Sequence, residues 1–137
     1  NFVGPTIFNK ISTDMRIYKE EIFGPVLGIL HVDTLDEAIQ LINANPFGNG
    51  VGLFTQSGTI ARTFQNQIDI GQVGINIPIP VPVPFFSFTG SRSSKMGVLG
   101  PYGKQAVQFY TQTKTITSRW FEDDHETSGV NTTISLR

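Results

Sequence analysis

Prolines at every second position, Pro78, Pro80, Pro82 and Pro84 in the run IPIPVPVP, restrict this chain more than any other feature. Each proline locks φ at about −65° and supplies no backbone N–H. Such a run cannot be a central strand of a sheet. It can be a stiff, extended crossing that keeps its shape without hydrogen-bonded neighbours, and it can form a wall at small entropic cost. Ile77, Ile79, Val81 and Val83 alternate with the prolines and are expected to pack to one side. Recognition by a proline-reading partner domain is the competing use, but such sites want prolines three apart beside a basic residue.

The run therefore belongs inside a fold, and composition agrees. A length of 137 residues suits one domain. With 39% apolar and only 15% charged residues, the chain has material for a core and little tendency to disorder. A net charge of −1 provides no field to hold nucleic acid or an acidic membrane surface. No apolar run is long enough to span a bilayer. There are no cysteines, so these residues contain no disulfide, thiolate ligand or thiol nucleophile. His31 and His125 lack any ligand-type spacing, and no metal site is expected. No targeting segment is visible and residue 1 is Asn, so the chain is expected to be processed or to be part of something longer.

Along the chain, residues 6–11 suit a short strand, and Ser12 or Thr13 could cap a helical turn through residues 14–18. Gly24-Pro25 stops that turn. Residues 26–32 (VLGILHV) suit a buried strand. Thr34 with Glu37 forms a capping box ahead of a helix carrying Leu35, Ala38, Ile39 and Ile42 on one face. Asn45-Pro46 ends it. Residues 50–54 suit the next strand. Ser57 or Thr59 caps a second helix, with Ala61, Phe64 and Ile68 inward and Gly71 closing it, and residues 73–77 form a third strand. This alternation predicts an α/β fold, a parallel βαβαβ portion joined by right-handed crossovers. Residues 105–117 (QAVQFYTQTKTIT) suit a long, partly exposed strand. Residues 121–137 are polar, without a period, and are expected to be disordered; the sequon at Asn131 in that tail reads as chance.

Chemistry concentrates in KEEIFGPV, residues 19–26. Glu20 and Glu21 sit at the C-terminal end of a helical turn, the unfavourable end for negative charge. Solvated loop acids would explain them. So would a ligand with hydroxyls, since a carboxylate accepts both hydrogen bonds of a ribose diol and Phe23 offers a flat apolar face to a heteroaromatic ring. Farther on, Phe85 and Phe88 could be simple packing, and Arg92 and Lys95 could meet an anion or merely solvent. Gly48, Gly50 and Gly52 have the wrong spacing for a phosphate-cradling loop.

EEIFGPV, the capped helix after it and NPFGNGVGLFT together resemble the aldehyde dehydrogenase superfamily. The proline run with FFSFTGSRSS, the leading NFVGPTI and the trailing YGKQAVQFYTQTKTITSRW resemble its CoA-acylating methylmalonate-semialdehyde branch, over residues 1–120. The resemblance implies that Glu21 holds the nicotinamide ribose of NAD, that Phe23 packs beside the nicotinamide, and that Glu20 is structural. It implies that Phe85 and Phe88 border the aldehyde pocket. Residues 1–104 would be the C-terminal part of the catalytic domain, 105–120 an oligomerisation strand and 121–137 a tail.

The chemistry so implied is attack by a cysteine thiol on a semialdehyde, hydride transfer to NAD, acyl transfer to coenzyme A and loss of carbon dioxide, as in valine catabolism. The nucleophile, the oxyanion donors and the nucleotide-binding domain lie upstream of the matched region. No residue of this chain is therefore assigned a catalytic role, and neither Arg62 nor Arg92 inherits a grip on the substrate carboxylate. The implied assembly is a homo-oligomer, a tetramer by resemblance, mitochondrial in a eukaryote and otherwise cytoplasmic. The expectation is part of a longer enzyme, inactive alone; the alternative is a truncated, non-catalytic homologue acting as a structural or interaction subunit.

Overall fold

The strands meet in pairs rather than as one sheet. The computed structural model describes residues 1–120. Its elements are β1 (Thr6–Phe8), α1 (Arg16–Lys19), β2 (Val26–Gly28), α2 (Leu35–Ala44), β3 (Phe47–Gly48), β4 (Gly50–Leu53), α3 (Gly58–Gln67), β5 (Gln72–Ile75), β6 (Ser91–Arg92) and α4 (Gln105–Tyr110). β1 pairs with β2 and β4 with β5, both in parallel, with a helix in each connection, as expected for an α/β fold. β3 and β6 make a two-residue antiparallel bridge. Among the described residues, β2 and β4 share no hydrogen-bonded ladder, so the expected βαβαβ unit is split at that point. No described helix is long and apolar enough to cross a membrane.

The two long helices begin where their side chains satisfy an orphan N–H. Thr34 accepts from the Glu37 amide at 3.2 Å, and Glu37 accepts in turn from the Asp33 amide at 2.9 Å. Ser57, not Thr59, caps α3, accepting from the Ile60 amide at 3.3 Å. Asn45, extended ahead of Pro46, ends α2. Ile39 of α2 meets Phe64 and Ile68 from α3 and its C-terminal boundary to form the core, with Val51, Leu53, Val73 and Ile75 of β4 and β5 beneath them. Phe64 is 2% exposed, and burial of such a side chain contributes about 1.5–3 kcal/mol.

Alternation along β4 and β5 then decides what covers the other face. Side chains point to opposite faces at successive positions, so Val51, Leu53, Val73 and Ile75 take the helix face and Gly52 and Gly74 the opposite one. A Cβ at Gly52 or Gly74 would lie 2.8 or 2.7 Å from the Ile77 carbonyl oxygen. This nearly side-chain-free face receives the proline run, which forms no strand. The orientation of the run is opposite to expectation: Pro80 and Pro82 are half-buried, and Ile77, Ile79, Val81 and Val83 are each more than half exposed. The rings are the compact groups that fit against glycine backbone; Pro80 Cβ would lie 3.2 Å from a Cβ at Gly74.

Other sequence expectations need correction. β1 stops at Phe8 and β2 at Gly28 rather than Val32, and β2 is not buried. Neither Ser12 nor Thr13 caps α1, because Met15 occupies the cap position and the Ser12 hydroxyl donates to Asp14. Gly71 does not close α3, which ends at Gln67 with Ile68 already extended. Instead a Cβ at Gly71 would fall onto the Gly90 backbone. Residues 105–110 are helical, not the start of a long strand. Apart from Val107, the β-branched residues of that run lie after Tyr110, and with no partner strand among the described residues the first six satisfy their backbone locally. The expectation for residues 121–137 lies outside the described residues.

Candidate functional site

Between the end of α1 and the loop after the proline run lies an open cleft of about 630 Å³. Glu20 and Glu21 form one wall, and Phe88, Ser93 and Ser94 the other, with Phe47 and Asn49 between. The first wall is positioned by Tyr18, whose hydroxyl accepts from Asn45 Nδ2 at 3.1 Å and so ties α1 to the end of α2. The second is positioned by the turn around β6. Gly48 donates to Ser94 Oγ at 3.0 Å, and Ser93 donates to the Pro46 carbonyl at 3.0 Å.

The two acids differ sharply in what they face. Arg16 grips Glu20 with Nε and Nη2 at 2.8 and 3.0 Å. That pairing holds the Glu20 carboxyl below the usual carboxylate range and raises the Arg16 guanidinium above its ordinary value. Glu20 is thereby engaged by an exposed partner within its own helical turn. Glu21, one residue on, has no side-chain partner among the described residues and lines the cleft with four acceptor sites open.

Of the four residues singled out from sequence, the cleft brings together Glu21 and Phe88. Phe23 is 98% exposed and Phe85 82%, and neither lines it. Phe88 packs against Tyr102 with ring centroids 5.9 Å apart, and its carbonyl accepts from Lys95 Nζ at 2.9 Å. Lys95 is therefore engaged within its own loop, not held ready for an anion. Arg92 is likewise taken. Its guanidinium donates to the carbonyls of Asn43, Ile42 and Phe47 at 3.1, 3.3 and 2.7 Å, and to Asp69 at 3.3 Å.

A second cavity of about 270 Å³ opens beneath the proline run, lined by Pro78, Ile79, Pro80 and Val81 on one side and by Gln72 on the other. It shares Asn49 and Phe88 with the larger cleft. Asn49 is the residue that sequence reasoning missed. In NPFGNG it reads as an ordinary turn residue, and only the register of Gly50 opposite Gln72 brings it to the junction of the two cavities.

Residues 1–116 match the aldehyde dehydrogenase family. The chain belongs to that family. Among its relatives, the Dictyostelium discoideum protein named probable methylmalonate-semialdehyde/malonate-semialdehyde dehydrogenase [acylating], mitochondrial, is 62% identical over 99% of this chain and 26% of its own length. The Homo sapiens methylmalonate-semialdehyde/malonate-semialdehyde dehydrogenase [acylating] is 62% identical over 90% of this chain and 23% of its own. Among solved structures, the methylmalonate-semialdehyde dehydrogenase of Oceanimonas doudoroffii superposes with a TM-score of 0.81 at 49% identity, covering 88% of this chain and 25% of that one. The indole-3-acetaldehyde dehydrogenase of P. syringae, solved with NAD+, superposes at 0.74 and 34% identity, covering 82% of this chain and 22% of that one. This aldehyde dehydrogenase chain thus spans about a quarter of the length of the relatives it matches.

Proposed function

We propose that this chain is the C-terminal portion of an NAD-dependent, CoA-acylating dehydrogenase of methylmalonate or malonate semialdehyde, with carbon dioxide lost as the acyl-CoA forms. The observation that carries the reading is Glu21. It has no side-chain partner among the described residues, in a cleft whose neighbouring acid is already paired with Arg16. An open carboxylate beside apolar Phe47 and Phe88 fits a ribose diol joined to a flat ring. Glu21 would hold the nicotinamide ribose, and NAD bound there would supply a hydride acceptor. Phe23 fits less directly, since it does not line the cleft; its assignment to the nicotinamide rests on the family motif.

Phe88 and the proline run would wall the substrate side, with Phe85 beside them at the end of the run. The chain contains no cysteine, so in this reading the nucleophile belongs to residues outside these 137, as do the groups that receive coenzyme A. The exposed residues 111–120, which lie in no helix or strand, together with α4, would serve homo-oligomer formation, because an exposed segment rich in β-forming residues can add to another chain's sheet edge. The names of the eukaryotic relatives place those proteins in mitochondria, and we propose the same location if this protein is eukaryotic.

The test is Glu21→Gln in the full-length enzyme. The KM for NAD should rise about tenfold, the worth of one charge-assisted hydrogen bond, with no loss of folding because Glu21 is exposed. An unchanged NAD dependence would remove the ribose role.

A further inference from the structure

The amide orientation at the junction of the two cavities is set by a relay. The Thr89 carbonyl can only accept, so Gln72 must turn Nε2 toward it, at 2.7 Å. The second Nε2 hydrogen then faces Asn49 Oδ1, at 3.4 Å. The Asn49 backbone is pinned as well, its carbonyl accepting from the Gln72 amide at 3.1 Å. Gln72 is 7% exposed and its Oε1 is sealed away without a partner, so Gln72 offers nothing to a ligand. With Oδ1 committed, Asn49 retains its two Nδ2 hydrogens without a partner among the described residues. It holds them where the Glu21 cleft meets the cavity under the proline run.

Apart from Asn49, Gln72 and Gly50, that second cavity is walled by proline, aliphatic and phenyl groups. At about 270 Å³ it falls below the roughly 300–1,000 Å³ of drug-sized ligand sites, and it suits a molecule of a few heavy atoms. We propose that Asn49 is a substrate-binding residue, whose Nδ2 donates to a carbonyl or carboxylate oxygen of a short semialdehyde, and that Gln72 is the positioning residue that fixes its orientation. The substrate class rests on the reading given under Proposed function; the donor geometry does not.

The test uses the full-length enzyme with malonate as probe, titrated calorimetrically, alongside NADH binding by fluorescence. Asn49→Leu removes the amide. Asn49→Asp keeps an acceptor toward Gln72 and replaces the donors with a carboxylate that also repels the malonate dianion. Malonate affinity should fall about tenfold in Asn49→Leu and at least as far in Asn49→Asp, with NADH affinity falling less than malonate affinity in both. The proposal is overturned if wild type binds no malonate, if both variants bind it as wild type does, or if NADH binding falls more than malonate binding. If wild type fails to oxidise the semialdehyde yet binds malonate in an Asn49-dependent way, the enzyme reading falls and the donor assignment stands. If turnover is present but malonate affinity ignores Asn49, the reverse holds.

Discussion

Replacing Arg92 should loosen the cleft wall that carries Ser93 and Ser94. Its guanidinium bridges the C-terminal carbonyls of α2 to β3 through three main-chain acceptors. Its side chain is only 19% exposed, whereas Asp69 is 67% exposed. Each carbonyl bond is worth about 1 kcal/mol net, and a cation at a helix C-terminus adds about 0.3–1 kcal/mol. The solvent-screened Asp69 pair adds little. Arg92→Ala should therefore cost about 3–4 kcal/mol in urea unfolding. Arg92 also holds φ at +53°, a conformation costing about 1–2 kcal/mol for a residue with Cβ. Arg92→Gly should accordingly lose about 1 kcal/mol less than Arg92→Ala. The local readout is amide hydrogen exchange at Gly48 and Ser93, whose N–H groups bind Ser94 Oγ and the Pro46 carbonyl; both should exchange faster. Arg62→Ala, on the exposed side of α3, is the control and should stay within about 0.5 kcal/mol of wild type. Equal stability of the Arg92 and Arg62 variants, with unchanged exchange at those amides, would refute the reasoning.

Thr34→Ala should destabilise α2 by about 1 kcal/mol, the cost of an N-cap, measured by the same unfolding assay; a change under about 0.3 kcal/mol would deny the cap its role. The Arg16–Glu20 contact should be pH-dependent in one direction. Because the folded Glu20 carboxyl lies below its ordinary value, its stabilisation is full above the usual carboxylate range and is lost as pH falls through the depressed value. A carboxyl NMR titration should show Glu20 returning to the ordinary range in Arg16→Ala.

What could be read in advance follows from how local each cause is. Thr34, Glu37 and Ser57 act within a single turn, so α2 and α3 were legible with their caps and their inward faces. β4 and β5 were legible to within a residue or two because short stretches of valine, leucine and isoleucine alternating with glycine have few other uses. The bridge between β3 and β6 was not, since two residues on each side carry no periodic signal and are held together by contacts distant in sequence from Arg92, Ser93 and Ser94 to residues 46–48. Threonine-rich composition after Tyr110 coloured the reading of residues 105–110, where local hydrogen bonding prevails. At the site, Glu21 and Phe88 were visible as residue types suited to a sugar and an apolar wall. Asn49 was not, because its importance comes from register and from the orientation of Gln72. Arg92 and Lys95 looked available only because the carbonyls they bind lie elsewhere in the sequence or carry no side-chain signature.

The contact between Gly71 and Gly90 limits how this region can diverge. Because a methyl group at Gly71 would run into main chain rather than a movable side chain, no rotamer change nearby could admit one. The seam is a fixed spacing of main chain against main chain, and drift in what the neighbouring cavity accepts must come from the side chains that surround it.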